Sequence, residues 1–273
     1  MDILKSAILG IIQGLTEFLP VSSSGHLELA KSLLGVKLED NLTFNIVVHM
    51  ATVLSTIIVF RKDIVQLLVG IFKFKMNDEM RMAIAIVVSL IPLIPVYLLF
   101  NDKLDAFLNR DITPEYQIIL VVGICLIITA LVLYASTRIG KSNKDVNGFR
   151  ALIIGIAQAI AILPGVSRSG STIATGLILK VDKAKVTRFS FLMVIPAIVG
   201  AMLLDAKELL SMSDASHSMD TLPLIAGFVA ALVSGIFACK WMVKLVQKGS
   251  LIYFAIYCLI VGVVAITASI LMA

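Results

Sequence analysis

The run IIQGLTEFLPVSSSGH, residues 11–26, decides the fold. The apolar stretch that leads into it starts at Ile3 and stops at Leu19-Pro20, short of the about 20 residues a helix needs to cross about 30 Å of hydrocarbon. Three serines and a glycine follow, and then a second short apolar run begins. Helix, polar turn and helix in that order read as a re-entrant hairpin. Irregular polar backbone is tolerated at membrane depth only where protein or a wet cavity surrounds it, so such a hairpin lines a site. A second stretch, AQAIAILPGVSRSGST, residues 157–172, closes the apolar run Ala151 to Leu163 in the same way.

The two hairpins are copies. Gly10 and Gln13 recur as Gly155 and Gln158, a constant offset of 145 positions. Leu19-Pro20 pairs with Leu163-Pro164 one residue out of step, and Gly165 restores the register. Val21, Ser22, Ser24 and Gly25 then match Val166, Ser167, Ser169 and Gly170, with Ser23 against Arg168 as the informative mismatch. Farther on, Phe44 meets Phe189, Lys62 meets Lys207 and Asp63 meets Glu208. The duplication divides one polytopic membrane domain, residues 1–273, into repeat one, 1–137, and repeat two, 150–273.

Composition agrees with burial in a bilayer. Of 273 residues, 59% are hydrophobic and only 15% charged, and the mean hydropathy is +1.01. A soluble domain carries about a quarter of its residues charged, so a disordered chain, a nucleic-acid module and a disulfide scaffold are all excluded. Six further segments are apolar enough to span: Phe44 to Phe60, Met82 to Phe100, Gln117 to Tyr134, Phe189 to Leu204, Leu222 to Cys239 and Leu251 to Ala273. The fold class is therefore all-α and integral to the membrane: six full transmembrane helices plus two re-entrant hairpins.

The net charge of +5 is explained by loop asymmetry. Arg61, Lys62, Lys73, Lys75 and Arg81 fall in one loop, Arg138, Lys141, Lys144 and Arg150 in another, and Lys240, Lys244 and Lys248 in a third, which makes these loops cytoplasmic. The connections 101–116 and 205–220 are acidic and face outward. The two hairpins then enter from opposite faces, giving an inverted-topology repeat whose tips meet near the midplane. Asp2 and Glu17 argue against a cleaved signal peptide, so the first segment is expected in the mature protein. Cys125, Cys239 and Cys258 lack CxxC spacing and read as packing residues. His49 reads as satisfying a backbone carbonyl, His217 as a solvated loop residue, Trp241 as an interfacial anchor, and Pro92, Pro95 and Pro196 as kinks.

The chemistry sits at the tips. Gln13 and Glu17 are four apart, so both side-chain oxygens share a helical face and can hold a hard cation such as Mg²⁺ or Ca²⁺. The alternative for Gln13 is helix packing beside Gly10 and Gly14. Arg168 offers a planar fork for two phosphate oxygens, with Ser167, Ser169, Ser171 and Thr172 as hydroxyl donors around it. A helix starting just after Gly170 would add its free N–H groups to the same phosphate site. Ser22 and Ser24 either join this phosphate cradle or only cap helices, and Ser171 shares that alternative. Ser23 is the candidate nucleophile, and His26, three residues on, is spaced to take its proton or to hold a phosphoryl oxygen; the alternative keeps Ser23 as a phosphate ligand and lets His26 act directly. The competing account of Glu17, His26 and Arg168 is an internal ion pair joining the hairpins.

The segment Gln13 to His26, together with Leu163-Pro-Gly-Val-Ser-Arg168-Ser-Gly170, closely resembles the bacterial undecaprenyl-diphosphate phosphatase family of the bacitracin-resistance type, and the resemblance covers the whole chain. It implies hydrolysis of a C55 isoprenoid diphosphate to the monophosphate, which recycles the lipid carrier for peptidoglycan and other envelope polymers. It also implies dependence on a divalent cation and a multi-pass protein of the bacterial inner membrane whose site opens to the outer face. The family's first motif carries Glu or Gln at the position of Gln13, an allowed form that leaves a metal one fewer anionic ligand. The expected partners are a polyprenyl diphosphate and membrane lipids, not nucleic acid, and a homodimer is compatible with the sequence. The competing function is a lipid-phosphate flippase or anion transporter built on the same midplane site.

Overall fold

In a computed structural model of the chain, residues 2–36, 41–109, 112–140, 143–211, 221–248 and 250–273 are described. The apolar runs form helices throughout. Among the described residues the one extended pairing is an isolated bridge between Lys144 and Val181. His217, with Asp214 and Asp220 of the acidic connection and Lys141 of the basic one, lies outside the described residues.

The first hairpin is α1 (Ile3–Phe18) and α2 (Ser23–Leu34). Asp2 caps α1 by accepting from the Leu4 N–H at 3.2 Å. The helix stops because Pro20 disfavours helical backbone at the residue before it, and Leu19 is extended at ψ 145°. Gly35, left-handed at φ 57°, ends α2. The second pair is α7 (Gly148–Ile160) and α8 (Arg168–Ile178), which start at the caps Asn147 and Ser167. At 1.5 Å per residue these four helices run only roughly 16–24 Å, too short to cross the hydrocarbon alone.

Among the described residues six helical segments are long and apolar enough to span, as expected. They comprise α3 (Asn41–Ile71), α4 (Asp78–Leu90) with α5 (Leu93–Leu108), α6 (Glu115–Thr137), α9 (Lys183–Ser211), α10 (Thr221–Lys248) and α11 (Ile252–Met272). The Ile91-Pro92 step breaks the second span into α4 and α5, while Pro196 lies inside α9. Several boundaries differ from the sequence reading: Arg81 lies in α4, Arg150 in α7, and Lys240, Lys244 and Lys248 in α10 rather than in loops. Arg61 and Lys62 are not in a loop, because α3 bends at Phe60 and continues helically to Ile71. Charged residues with long side chains are good helix formers, so they do not terminate it. This extension is tied to α9 by the Arg188–Asp63 ion pair at 2.6 Å.

Glycine lets the short helices approach the spans. A Cβ on Gly10 would lie 2.3 Å from the Gly227 carbonyl oxygen of α10, and one on Gly155 would lie 2.3 Å from that of Ser89 in α4. The core around the tips is apolar and includes Phe18, Val122, Ile173, Phe189 and Cys258, all buried.

Candidate active site

The last turn of α1 delivers Glu17 to the place where the two tips meet. Its side chain is buried, 7% exposed for the whole residue, and three groups hold its carboxylate. Arg168, the first residue of α8, donates from Nη2 to Oε1 at 2.5 Å. Oε2 accepts from Gln13 Nε2 at 2.8 Å and from the Ser23 hydroxyl at 2.5 Å. The Gln13 contact is the i, i+4 neighbour that one helical face provides. Ser23 opens α2, so its side chain returns toward the end of α1 across the short Leu19 to Ser22 turn.

Hydroxyl groups knit the tips together. Ser22 Oγ accepts from the Gly25 N–H, capping α2 at 3.3 Å, and from the Gly165 N–H of the other tip at 3.1 Å. Its φ of 71° is unusual for a residue with a side chain, and the double contact holds it there. Ser169 donates to the Leu19 carbonyl at 3.1 Å. Ser167 caps α8 by accepting from the Gly170 N–H at 3.0 Å, and Thr172 Oγ1 lies 2.9 Å from the Arg168 carbonyl and 2.6 Å from Ser190 Oγ. Ser24 lies 3.4 Å from Ser22, oxygen to oxygen, and Ser171 is buried in α8. Most of the expected cradle hydroxyls thus build the tips. Among the described residues Arg168 Nη1 is buried without a partner, which leaves one guanidinium nitrogen open to an anion.

The structure brings Glu17, Gln13, Ser23 and Arg168 together, whereas His26 turns away from Ser23. Its Nδ1 lies 2.8 Å from the Ser22 carbonyl oxygen, and its Nε2 lies 2.8 Å from the Tyr257 hydroxyl of α11. The group against the Ser23 hydroxyl is the Glu17 carboxylate. His49 donates to the Asn45 carbonyl at 2.7 Å, as read from the sequence, and also stands within electrostatic reach of Glu17.

Two residues of the site were not singled out from the sequence. Thr129 of α6 donates to the Gly165 carbonyl and accepts from the Ser167 N–H, both at 3.0 Å. Tyr257 reaches His26. The only signal each gives is a polar group inside an otherwise apolar span.

A divalent cation has oxygen donors here. Gln13 Oε1 is buried without a partner, and it lies on the residue whose amide nitrogen already contacts Glu17. Among the described residues no group of three or more His, Cys, Asp or Glu gathers around a common point. A hard ion would find here one carboxylate, that of Glu17, and one amide oxygen, that of Gln13.

Residues 6–264 match the family model described as bacitracin resistance protein BacA. A protein of Bacteroides fragilis named undecaprenyl-diphosphatase is 50% identical over 273 residues, covering 98% of this chain and 99% of its own. Proteins of the same name from Halothermothrix orenii and Methanosphaera stadtmanae are 39% and 38% identical. The first alignment covers 97% of this chain and 98% of the relative, and the second covers the whole of both.

Proposed function

The chain belongs to the bacitracin resistance protein BacA family, and on that premise we propose that it hydrolyses undecaprenyl diphosphate to undecaprenyl phosphate and inorganic phosphate where the two tips meet. The observation that carries the site assignment is the buried Glu17 carboxylate, which accepts the Ser23 hydroxyl and pairs with Arg168 across the two tips. A nucleophile, a base and a phosphate-binding cation thereby meet at one point. A transport function finds no support in the relatives, whose names describe a diphosphatase.

Arg168 keeps Nη2 on Glu17 and gives Nη1 to the terminal phosphate. Glu17 takes the Ser23 proton as Oγ attacks the terminal phosphorus. The bond from that phosphorus to the bridging oxygen breaks, and undecaprenyl phosphate leaves. Water then attacks the phospho-serine, losing a proton to His26 Nε2, while the Oγ–P bond breaks and Glu17 returns its proton to Oγ. Gln13 and Glu17 would hold a divalent cation, Mg²⁺ or Ca²⁺, which neutralises diphosphate charge when bound.

The halves 1–137 and 150–273 form the inverted repeat, with the site open to the outer face. Support comes from the equivalent glycines Gly10 and Gly155, each closely approached by a span of the other half. An open apolar groove of about 870 Å³ between α1 and α10, lined in part by Ile11, Leu15 and Val233, suits a chain of long-tailed lipids.

Phosphate release from a long-chain prenyl diphosphate by purified protein in detergent tests the function. Wild type is expected to release phosphate in a chelator-sensitive manner, with Ser23→Ala and Arg168→Ala reduced at least about 100-fold. No release by folded wild type sinks the proposal. Full activity of Ser23→Ala removes the covalent step alone.

A further inference from the structure

The proposed reaction uses His26 but says nothing of what aims it. The Ser22 carbonyl oxygen can only accept, so the Nδ1 2.8 Å from it is a donor. A neutral imidazole then carries its lone pair at Nε2, and the Tyr257 hydroxyl, 2.8 Å away, donates to it. The two rings lie nearly parallel, 12° apart with centroids 5.6 Å from each other.

The rest of α11 holds that hydroxyl in place. Ser269 donates to the Tyr116 carbonyl at 2.7 Å, fixing the helix against the start of α6. Next to Tyr257, Cys258 Sγ lies 3.6 Å from the Pro20 carbonyl oxygen of the first tip. The helix is thus anchored at the residue beside Tyr257 and again three turns on.

We propose that Tyr257 is the positioning residue for His26: together with the Ser22 carbonyl its hydroxyl holds the imidazole in the Nδ1–H form, leaving Nε2 as the basic nitrogen. The inference rests on the diphosphatase function and on His26 serving the second half of the reaction. There the attacking water replaces Tyr257 as the donor to Nε2. Its proton passes to that nitrogen as its oxygen bonds phosphorus and the Ser23 Oγ–P bond breaks. Without the Tyr257 hydroxyl the ring also samples the Nε2–H form, in which that nitrogen has no lone pair to offer.

Protein labelled with ¹⁵N-histidine tests this in detergent, because the chain has only three histidines and His26→Ala identifies the signal of interest. Wild type is expected to show His26 protonated at Nδ1 and bare at Nε2. Tyr257→Phe keeps the stacked ring; it should give a mixture of both forms and lower kcat about tenfold, the size of one lost hydrogen bond. KM and the midpoint of thermal unfolding should not move. A wild-type spectrum with the proton on Nε2 overturns the inference, and it decides the matter even if Tyr257→Phe does not fold. Full kcat in Tyr257→Phe, or a reduced kcat with an unchanged His26 signal, also overturns it. Absence of phosphate release in wild type would instead strike the diphosphatase function, while the spectrum still reports on the Tyr257 contact.

Discussion

In the proposed reaction Arg168 has two tasks that a lysine cannot share out. Its guanidinium holds Glu17 with one nitrogen and leaves Nη1 buried and unpartnered for an incoming phosphate. An ammonium is a single point charge and must choose between the carboxylate and the phosphate. Arg168→Lys is therefore expected to lower kcat/KM about 30- to 100-fold, equivalent to about 2–3 kcal/mol for a charged hydrogen bond. Initial rates of phosphate release across substrate concentrations check this, and rates equal to wild type would mean that Nη1 does not meet phosphate. The shared face of Gln13 and Glu17 was legible in the sequence because four residues is one helical step, but their contact is an amide N–H on a carboxylate, not two oxygens facing a cation. The meeting of Glu17 with Arg168 was legible through the repeat that set both tips side by side. The direction of His26 was not. Three-residue spacing places Ser23 and His26 a turn apart but does not show that Ser23 leans back onto α1 while the imidazole leans out to α11. Tyr257 is 231 residues from His26 in the chain, and a single tyrosine in an apolar helix gives no local sign of its partner.

At the scale of elements, the short helices are held by close backbone approach, which a methyl group would prevent. The carbonyls facing Gly10 and Gly155 belong to helix backbones and cannot swing aside as a flexible side chain would. Gly10→Ala and Gly155→Ala are each expected to destabilise the folded protein by about 1–3 kcal/mol through overpacking. Gly200 of α9 has nothing within 4 Å of its would-be Cβ, so Gly200→Ala is the matched control. Thermal unfolding in detergent is the measurement, and equal midpoints for all three variants would show that α1 and α7 do not rely on this contact. The end of α1 was readable at Leu19-Pro20, whereas the start of α8 was not: the sequence put it just after Gly170, and it lies at Arg168 behind the Ser167 cap. The length of α3 was not readable either, because Arg61 and Lys62 signal a change of environment without signalling a change of backbone.

For the whole molecule, loop charge and the repeat together give an orientation that chemistry can test. The basic connection around Asn143 should be cytoplasmic and the connection before α6, which contains Ile112, should lie outside. Both positions are exposed, and the three native cysteines are buried, so background labelling is low. In intact bacterial cells a membrane-impermeant maleimide is expected to label Ile112→Cys and to leave Asn143→Cys unlabelled until the cells are permeabilised. The orientation has a direct consequence for function. In the proposed orientation Ser23 and Glu17 would belong to a hairpin entering from the side of Ile112, and a diphosphate would reach them from the outer face. Labelling in the reverse order would turn that hairpin toward the cytoplasm, and the proposed outer opening would fall while the phosphatase chemistry at the tips stood.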